Sequence, residues 1–328
     1  MKPTDLALAI VTAVLWGLNF VVIKLGLGNY PPLLFTALRF ACAAGLVLFL
    51  PRPRVPWGRI LLLGAVMFAA QFSCLFLGMA HGMPPGLASV TAQTQAFLTV
   101  LFAAAVLGER PTRQQISGTL VAFGGLGLIA STVGGAVTWA GLLFTLGAAT
   151  SWASGNVLLK RTGAVEMLPL VGWMALVPPV PLTLLSLAVD GRERVFGALL
   201  HPTWIGVGAV LFNGIFATAV GFGIWTHLLR RYPAATVAPF SLLVPTVGMA
   251  SSAWAFGERF SPTRLAGALL IVVGLAIVVF RRQSRSALEV LPAHLELRPG
   301  EDPPLVVEPV QLAQLHPLPG GHAAPGLR

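Results

Sequence analysis

Leu107-Gly108-Glu109-Arg110-Pro111 returns near the end of the apolar part of the chain as Phe256-Gly257-Glu258-Arg259-Phe260. The match extends in both directions at constant spacing. Nine residues past each glutamate stands a glycine, Gly118 and Gly267, and sixteen past stands another, Gly125 and Gly274. Pro84 and Pro233 precede the two glutamates by the same distance. Further upstream, Trp16 and Lys24 are spaced as Trp152 and Lys160 are, with Asn19 or Asn156 between them. Self-similarity of this kind marks two copies of one structural unit.

Composition says where those units live. The 328 residues include 21 Lys+Arg and 11 Asp+Glu, so 10% are charged, against roughly 25% in soluble domains. Hydrophobic residues reach 56% and mean hydropathy is +0.82. A soluble chain of this length needs more polar residues to cover its surface. A soluble globular protein is excluded, and the lipid bilayer is the expected surround. The net charge of +10 does not imply a nucleic-acid partner, because the basic residues stand singly or in pairs between apolar runs.

A helix that crosses a bilayer needs about 20 mostly apolar residues. No Asp, Glu, Lys or Arg occurs from Ile60 to Gly108 or from Gln114 to Leu159, and each stretch holds two spans. The expected spans are 6–24, 33–50, 59–79, 86–107, 114–131, 139–159, 167–188, 204–227, 235–256 and 263–280. The expected fold is an all-α polytopic membrane protein, with ten transmembrane helices as two inverted five-helix repeats, residues 1–131 and 132–280. Five is odd, so the second unit enters from the opposite face. Inverted repeats are a transporter architecture, with the substrate site near the midplane. Residues 281–328, rich in Pro and with charges that cancel, read as a disordered cytoplasmic tail.

Lys and Arg collect on the cytoplasmic side of membrane proteins. With the N-terminus inside, thirteen fall inside and five outside, which places both termini in the cytoplasm. The connections are too short for a catalytic domain. No acid cluster, His–acid pair or metal set accompanies them, so an enzyme such as a membrane-embedded transferase is not expected. No cofactor or metal is expected either. Cys42 and Cys74 fall inside spans and read as packing residues. Glu109 and Glu258 stand at helix ends, where Arg110, Arg113, Arg259 and Arg264 are within reach as partners.

The motifs carry a resemblance. Trp16-Gly-Leu-Asn-Phe-Val-Val-Ile-Lys24, Leu38-Arg-Phe40, Gly82-Met-Pro-Pro-Gly-Leu-Ala-Ser89, Gln93-Thr-Gln-Ala-Phe97, Ser151-Trp-Ala-Ser-Gly-Asn156, Val237-Ala-Pro-Phe-Ser-Leu-Leu-Val-Pro245 and the paired Gly-Glu-Arg ends resemble the EamA family of the drug/metabolite transporter superfamily. Within it the chain is similar to bacterial O-acetylserine/cysteine exporters. The resemblance spans roughly residues 5–280. It implies an inner-membrane exporter of small amino acids and related metabolites, working by alternating access on a small-molecule substrate. The same fold with another amino acid, a drug or a sugar-linked metabolite is the alternative. Energy coupling, by protons or otherwise, is not legible.

Polar residues inside spans are costly unless they face protein or water. In the first span Thr12, Trp16, Asn19 and Ile23 share a helical face, and Thr145, Ala149, Trp152 and Asn156 repeat the pattern in the sixth. Asn19 and Asn156 suit either a zwitterion or a helix–helix amide bond. Arg39 lies inside the second span, and its repeat position falls near Ala175. A cation there suits a substrate carboxylate, with a salt bridge or carbonyl contact as the alternative. Gln71, Gln93, Gln95 and Ser241 complete the candidate substrate-binding set. Ser89 and Gln93 mark one face of the fourth span and Thr91, Gln95 and Thr99 another, so at least one of the two is expected in a protein interface. Lys24 reads as a snorkelling residue or a gate. Pro239 and Pro245 read as kinks, or as sources of freed carbonyls for bending.

Overall fold

The structure, a computed structural model, describes residues 1–134, 137–163 and 165–279. The expected tail, 281–328, lies outside the described residues. Those residues form a helical bundle, with no β-structure among them beyond one isolated bridge between Val133 and Val137. The helical runs are α1 (Pro3–Leu27), α2 (Pro32–Leu48), α3 (Trp57–Ala80), α4 (Pro85–Leu107), α5 (Arg113–Ala130), α6 (Trp139–Lys160), α7 (Met167–Val189), α8 (Arg192–Leu200), α9 (Trp204–Arg231), α10 (234–256) and α11 (Pro262–Val279). Seven of them, α1, α3, α4, α6, α7, α9 and α11, are long and apolar enough to cross a bilayer. Trp139, Trp204 and Trp254 are largely exposed near helix ends, as tryptophans at a membrane–water interface are.

The ends of the runs follow from local sequence. Pro3, Pro32 and Pro85 stand in first turns, where a missing N–H costs nothing. Thr112 and Gln115 cap α5 reciprocally, and the Thr138 and Thr203 side chains accept from Gly141 and Gly206 at the starts of α6 and α9. The repeated motif has a backbone reason. Gly108 and Gly257 end α4 and α10 at φ 68° and 64°, a left-handed conformation that favours glycine.

Three features depart from the expected spans. The connection after α7 is itself a helix, α8, short and amphipathic. A turn at residues 175–178 interrupts α7. Finally, α3 and α9 each contain a π-helical stretch, Gly64–Ala70 and Phe212–Val220. Measured from Pro84 and Pro233, the two stretches overlap.

α5 and α11 pack antiparallel through the repeated glycines. A Cβ built at Gly118 would fall 2.7 Å from the Gly274 carbonyl oxygen, and one at Gly274 would fall 2.5 Å from that of Gly118. Gly125 and Gly267 approach each other in the same way, at 2.5 and 2.7 Å. Gly118 is the repeat equivalent of Gly267, and Gly125 of Gly274. Each therefore touches the equivalent of its partner's position, the signature of a two-fold contact. Gly124 and Gly127, beside them in sequence, face open space. The same equivalence relates α1 packed on α10 to α6 packed on α4.

Candidate functional site

α1, α2, α3, α4, α6, α9 and α10 enclose a cavity of about 270 Å³. That is near the small end of ligand pockets, which run roughly 300–1,000 Å³. Trp16, Asn19, Arg39, Gln71, Gln93, Gln95, Trp152 and Ser241 all line it. Phe20, Ile23, Phe72, Leu75 and Val244 supply much of its apolar wall.

Arg39 is 2% exposed and so is buried inside the bundle. Its Nη2 donates to Thr218 Oγ1 at 2.9 Å. The guanidinium lies 4.0 Å over the Phe72 ring and 4.8 Å from the Phe40 ring centre. These faces attract a cation through the ring quadrupole. Nε and Nη1 have no partner. The cavity wall, among the described residues, carries this cation and no carboxylate. Two acceptors are likewise unpartnered there, Asn19 Oδ1 and Gln71 Oε1. An unsatisfied buried polar atom costs about 1–3 kcal/mol. The residues that line the cavity thus carry spare donors on a cation and spare carbonyl acceptors, the complement of a group bearing both charges.

One end of the cavity is aromatic. Trp16 Nε1 donates to the Ala217 carbonyl at 2.9 Å, which fixes the indole against α9. Its ring lies 5.3 Å from that of Trp225 and 5.6 Å from that of Phe222, and Trp152 lies 6.4 Å from Phe222.

Three expectations are corrected. Asn156 does not line the cavity: its Nδ2 donates to Thr99 Oγ1 at 3.1 Å, and it acts as glue between α6 and α4. Gln93 and Gln95, expected on separate faces of one helix, both reach the cavity because a turn at Ala92–Gln93 breaks α4 there. Glu109 and Glu258 do not pair with the adjacent arginines. Both Glu109 carboxylate oxygens lie 2.9 Å from Lys160 Nζ, and Glu258 Oε2 accepts from the Gly86 N–H at 3.3 Å. Arg264 turns to Thr132 instead.

The gate and kink candidates lie outside the polar centre. Lys24 is exposed and has no ion pair among the described residues. Pro239 stands in the tight 3₁₀ opening of α10, Ala238–Leu242, and the Pro245 carbonyl accepts from Ser89 Oγ at 3.4 Å. Sequence reasoning missed Thr218, Phe222 and Trp225. Thr218 lies in the π-helical stretch of α9, and its Oγ1 donates to the Asn213 carbonyl five residues back, a reach that regular α spacing does not foretell. The Phe222 and Trp225 pair, three apart on one face, was a legible signal.

The EamA-like transporter family model matches this chain twice, over residues 4–131 and 139–280. A "Probable amino-acid metabolite efflux pump" of Escherichia coli (strain K12) is 42% identical over 297 residues, covering 88% of this chain and 99% of the relative. Its Salmonella typhimurium namesake is also 42% identical, over 85% of this chain and 96% of the relative. A "Probable terminal-alkyne amino-acid exporter" of Streptantibioticus cattleyicolor is 29% identical, over 84% and 93%. A solved crystal structure at 20% identity covers 85% of this chain and 97% of its own, with a TM-score of 0.58, and so shares the fold. A multi-pass membrane transporter and not an enzyme, the chain belongs to the EamA-like transporter family.

Proposed function

We propose that the protein exports small zwitterionic amino acids and related metabolites, cysteine- and O-acetylserine-like, across a bacterial inner membrane. The observation that carries this is the pairing of free donors and free acceptors in one small cavity: Arg39 Nε and Nη1 with Asn19 Oδ1 and Gln71 Oε1. Arg39 takes the carboxylate. Asn19 and Gln71 take the ammonium, with no carboxylate in the cavity lining to overbind it. Gln93, Gln95 and Ser241 meet the polar end of the side chain, and Trp16 and Trp152 wall it. The efflux named for the relatives supports the outward direction.

Transport runs by alternating access between two inverted five-helix halves, residues 1–131 and 132–280, spanning ten times with both termini cytoplasmic. The two-fold glycine contact of α5 with α11 and the doubled family match support the inversion. Lys24 gates, and Pro239 and Pro245 allow α10 to bend.

Purified protein in liposomes, loaded for counterflow of labelled cysteine, tests the ligand chemistry. Serine and O-acetylserine should compete. Cysteamine, which lacks the carboxylate, and N-acetylcysteine, which lacks the ammonium, should not. Competition by cysteamine as strong as by serine would remove Arg39 from carboxylate recognition. Overexpressing cells should release cysteine or O-acetylserine, and unchanged release at verified expression would overturn export.

A further inference from the structure

The two Gly-Glu-Arg carboxylates occupy equivalent places in sequence and inequivalent places in the structure. Glu109, at the end of α4, pairs with Lys160 at the end of α6. By the repeat, Glu258 at the end of α10 should pair with Lys24 at the end of α1. The backbone permits it. α1 and α10 run parallel, with Ala9 clustering near Phe240 and Gly17 against Val247, so Lys24 and Glu258 reach the same end of the bundle. Glu258 nevertheless accepts from the Gly86 N–H, the second residue past Pro84.

Packing explains the difference. At the Glu258 end the first turns of α4 are docked: Ser89 meets Gly248 and the Pro245 carbonyl, and Phe260 abuts Gly86. At the Glu109 end the equivalent turns, 234–242, lie against α1 and α11 and hardly touch α4. One end of the cavity is shut and the other parted. A carboxylate at a shut end binds the opposing helix start. A carboxylate at a parted end binds the lysine.

Resting on the two-half transport reading, we infer that Glu109 and Glu258 are exchangeable gate ligands. When the Glu258 end parts, Glu258 leaves the Gly86 N–H for Lys24. When the Glu109 end shuts, Glu109 leaves Lys160 for the N–H of Ala235, the second residue past Pro233. Both steps trade one charge-assisted bond for another, so neither strands a carboxylate. Lys24 then stabilises only the state not captured here, and Lys160 only the captured one.

The test is a sign. In a background lacking Cys42 and Cys74, spin labels at Ala80→Cys and Arg259→Cys report the Glu258 end. Labels at Val106→Cys and Thr236→Cys report the Glu109 end. Distances are measured in the full-length protein in liposomes, without substrate. Lys160→Ala should move the population toward a long 80–259 and short 106–236 distance, and Lys24→Ala should move it the other way. Each ratio should change about three- to fivefold, as suits a partly exposed pair. Glu258→Gln should follow Lys24→Ala in direction, because its amide oxygen still accepts from the Gly86 N–H while the ion pair with Lys24 is lost. Shifts of the same sign in the two lysine variants, or none, would overturn the exchange. A single fixed distance in every variant, with and without cysteine, would overturn alternating access with it. Opposite shifts in a protein that fails to transport amino acids would leave the exchange standing and remove only the cargo.

Discussion

The α5–α11 seam and the central cavity both join the first repeat to the second, and they are built on opposite rules. The seam is symmetric: equivalent glycines exchange partners, and the backbones lie so close that an added Cβ would fall within 2.7 Å of the facing carbonyl oxygen. The cavity is asymmetric: Arg39 has Ala175 at its repeat position, and Ala175 is fully buried in an apolar cluster. The seam leaves no room. The cavity leaves polar atoms without partners. The repeat is kept where the helices meet through glycine and lost at the cavity, where the proposed ligand is polar and unsymmetric.

The largest effect should come from spoiling the seam. Gly125→Leu places a side chain where the Gly267 oxygen already stands, and should cost about 3 kcal/mol or more by forcing helices apart. Detergent-solubilised yield and thermal unfolding check it. Gly124→Leu, one residue away and facing open space, should change stability by no more than ~0.5 kcal/mol. Equal damage from both would end the claim that the seam depends on close approach.

Next comes the asymmetric partner. Arg39→Ala should lower transport roughly a hundredfold, the equivalent of losing a charged hydrogen bond to substrate, while leaving the melting temperature near or above that of the parent. A loss of folding equal to the loss of transport would make Arg39 a scaffold residue. Gln71→Leu keeps the volume and removes one free acceptor, so uptake by vesicles should fall about tenfold. Trp16→Phe removes the bond to the Ala217 carbonyl but keeps an aromatic face toward Trp225. A fall of about fivefold in transport is expected, in line with ~1 kcal/mol. Asn156→Ala, outside the cavity, should change transport less than about twofold. A larger change in cysteine counterflow would return Asn156 to the site.

Much of this was legible. The charge-free stretches located the helices because lipid tolerates few alternatives to an apolar run, and the Gly-Glu-Arg repeat gave the duplication. The α1 stripe of Trp16, Asn19 and Ile23 was readable because an uninterrupted α-helix keeps its faces in step. Reading failed where the helix is interrupted. The turn at Ala92–Gln93 gave α4 two polar faces on one cavity, and the π stretch in α9 brought Thr218 under Arg39. Asn156 misled because equivalence to Asn19 along the sequence is not equivalence around an asymmetric cavity. The partners of Glu109 and Glu258 were hidden for another reason: they lie on helices distant in sequence, and a nearby arginine looked sufficient.

The π stretches have a consequence for the length of the chain. A π-turn holds one residue more than the α-turn it replaces, so Phe212–Val220 is an insertion absorbed without leaving the helix. Removing one residue inside it, ordinarily among the harshest edits to a helix, would here relax the run to regular α geometry. The wide turn and the α-turn that would replace it cover the same arc, so Phe222 and Trp225 beyond it would keep their faces toward Trp16, where the same deletion in a regular helix would turn them by about 100°. The change would be confined to the turn itself, which holds Thr218 under Arg39. Gly64–Ala70 puts the same tolerance into α3.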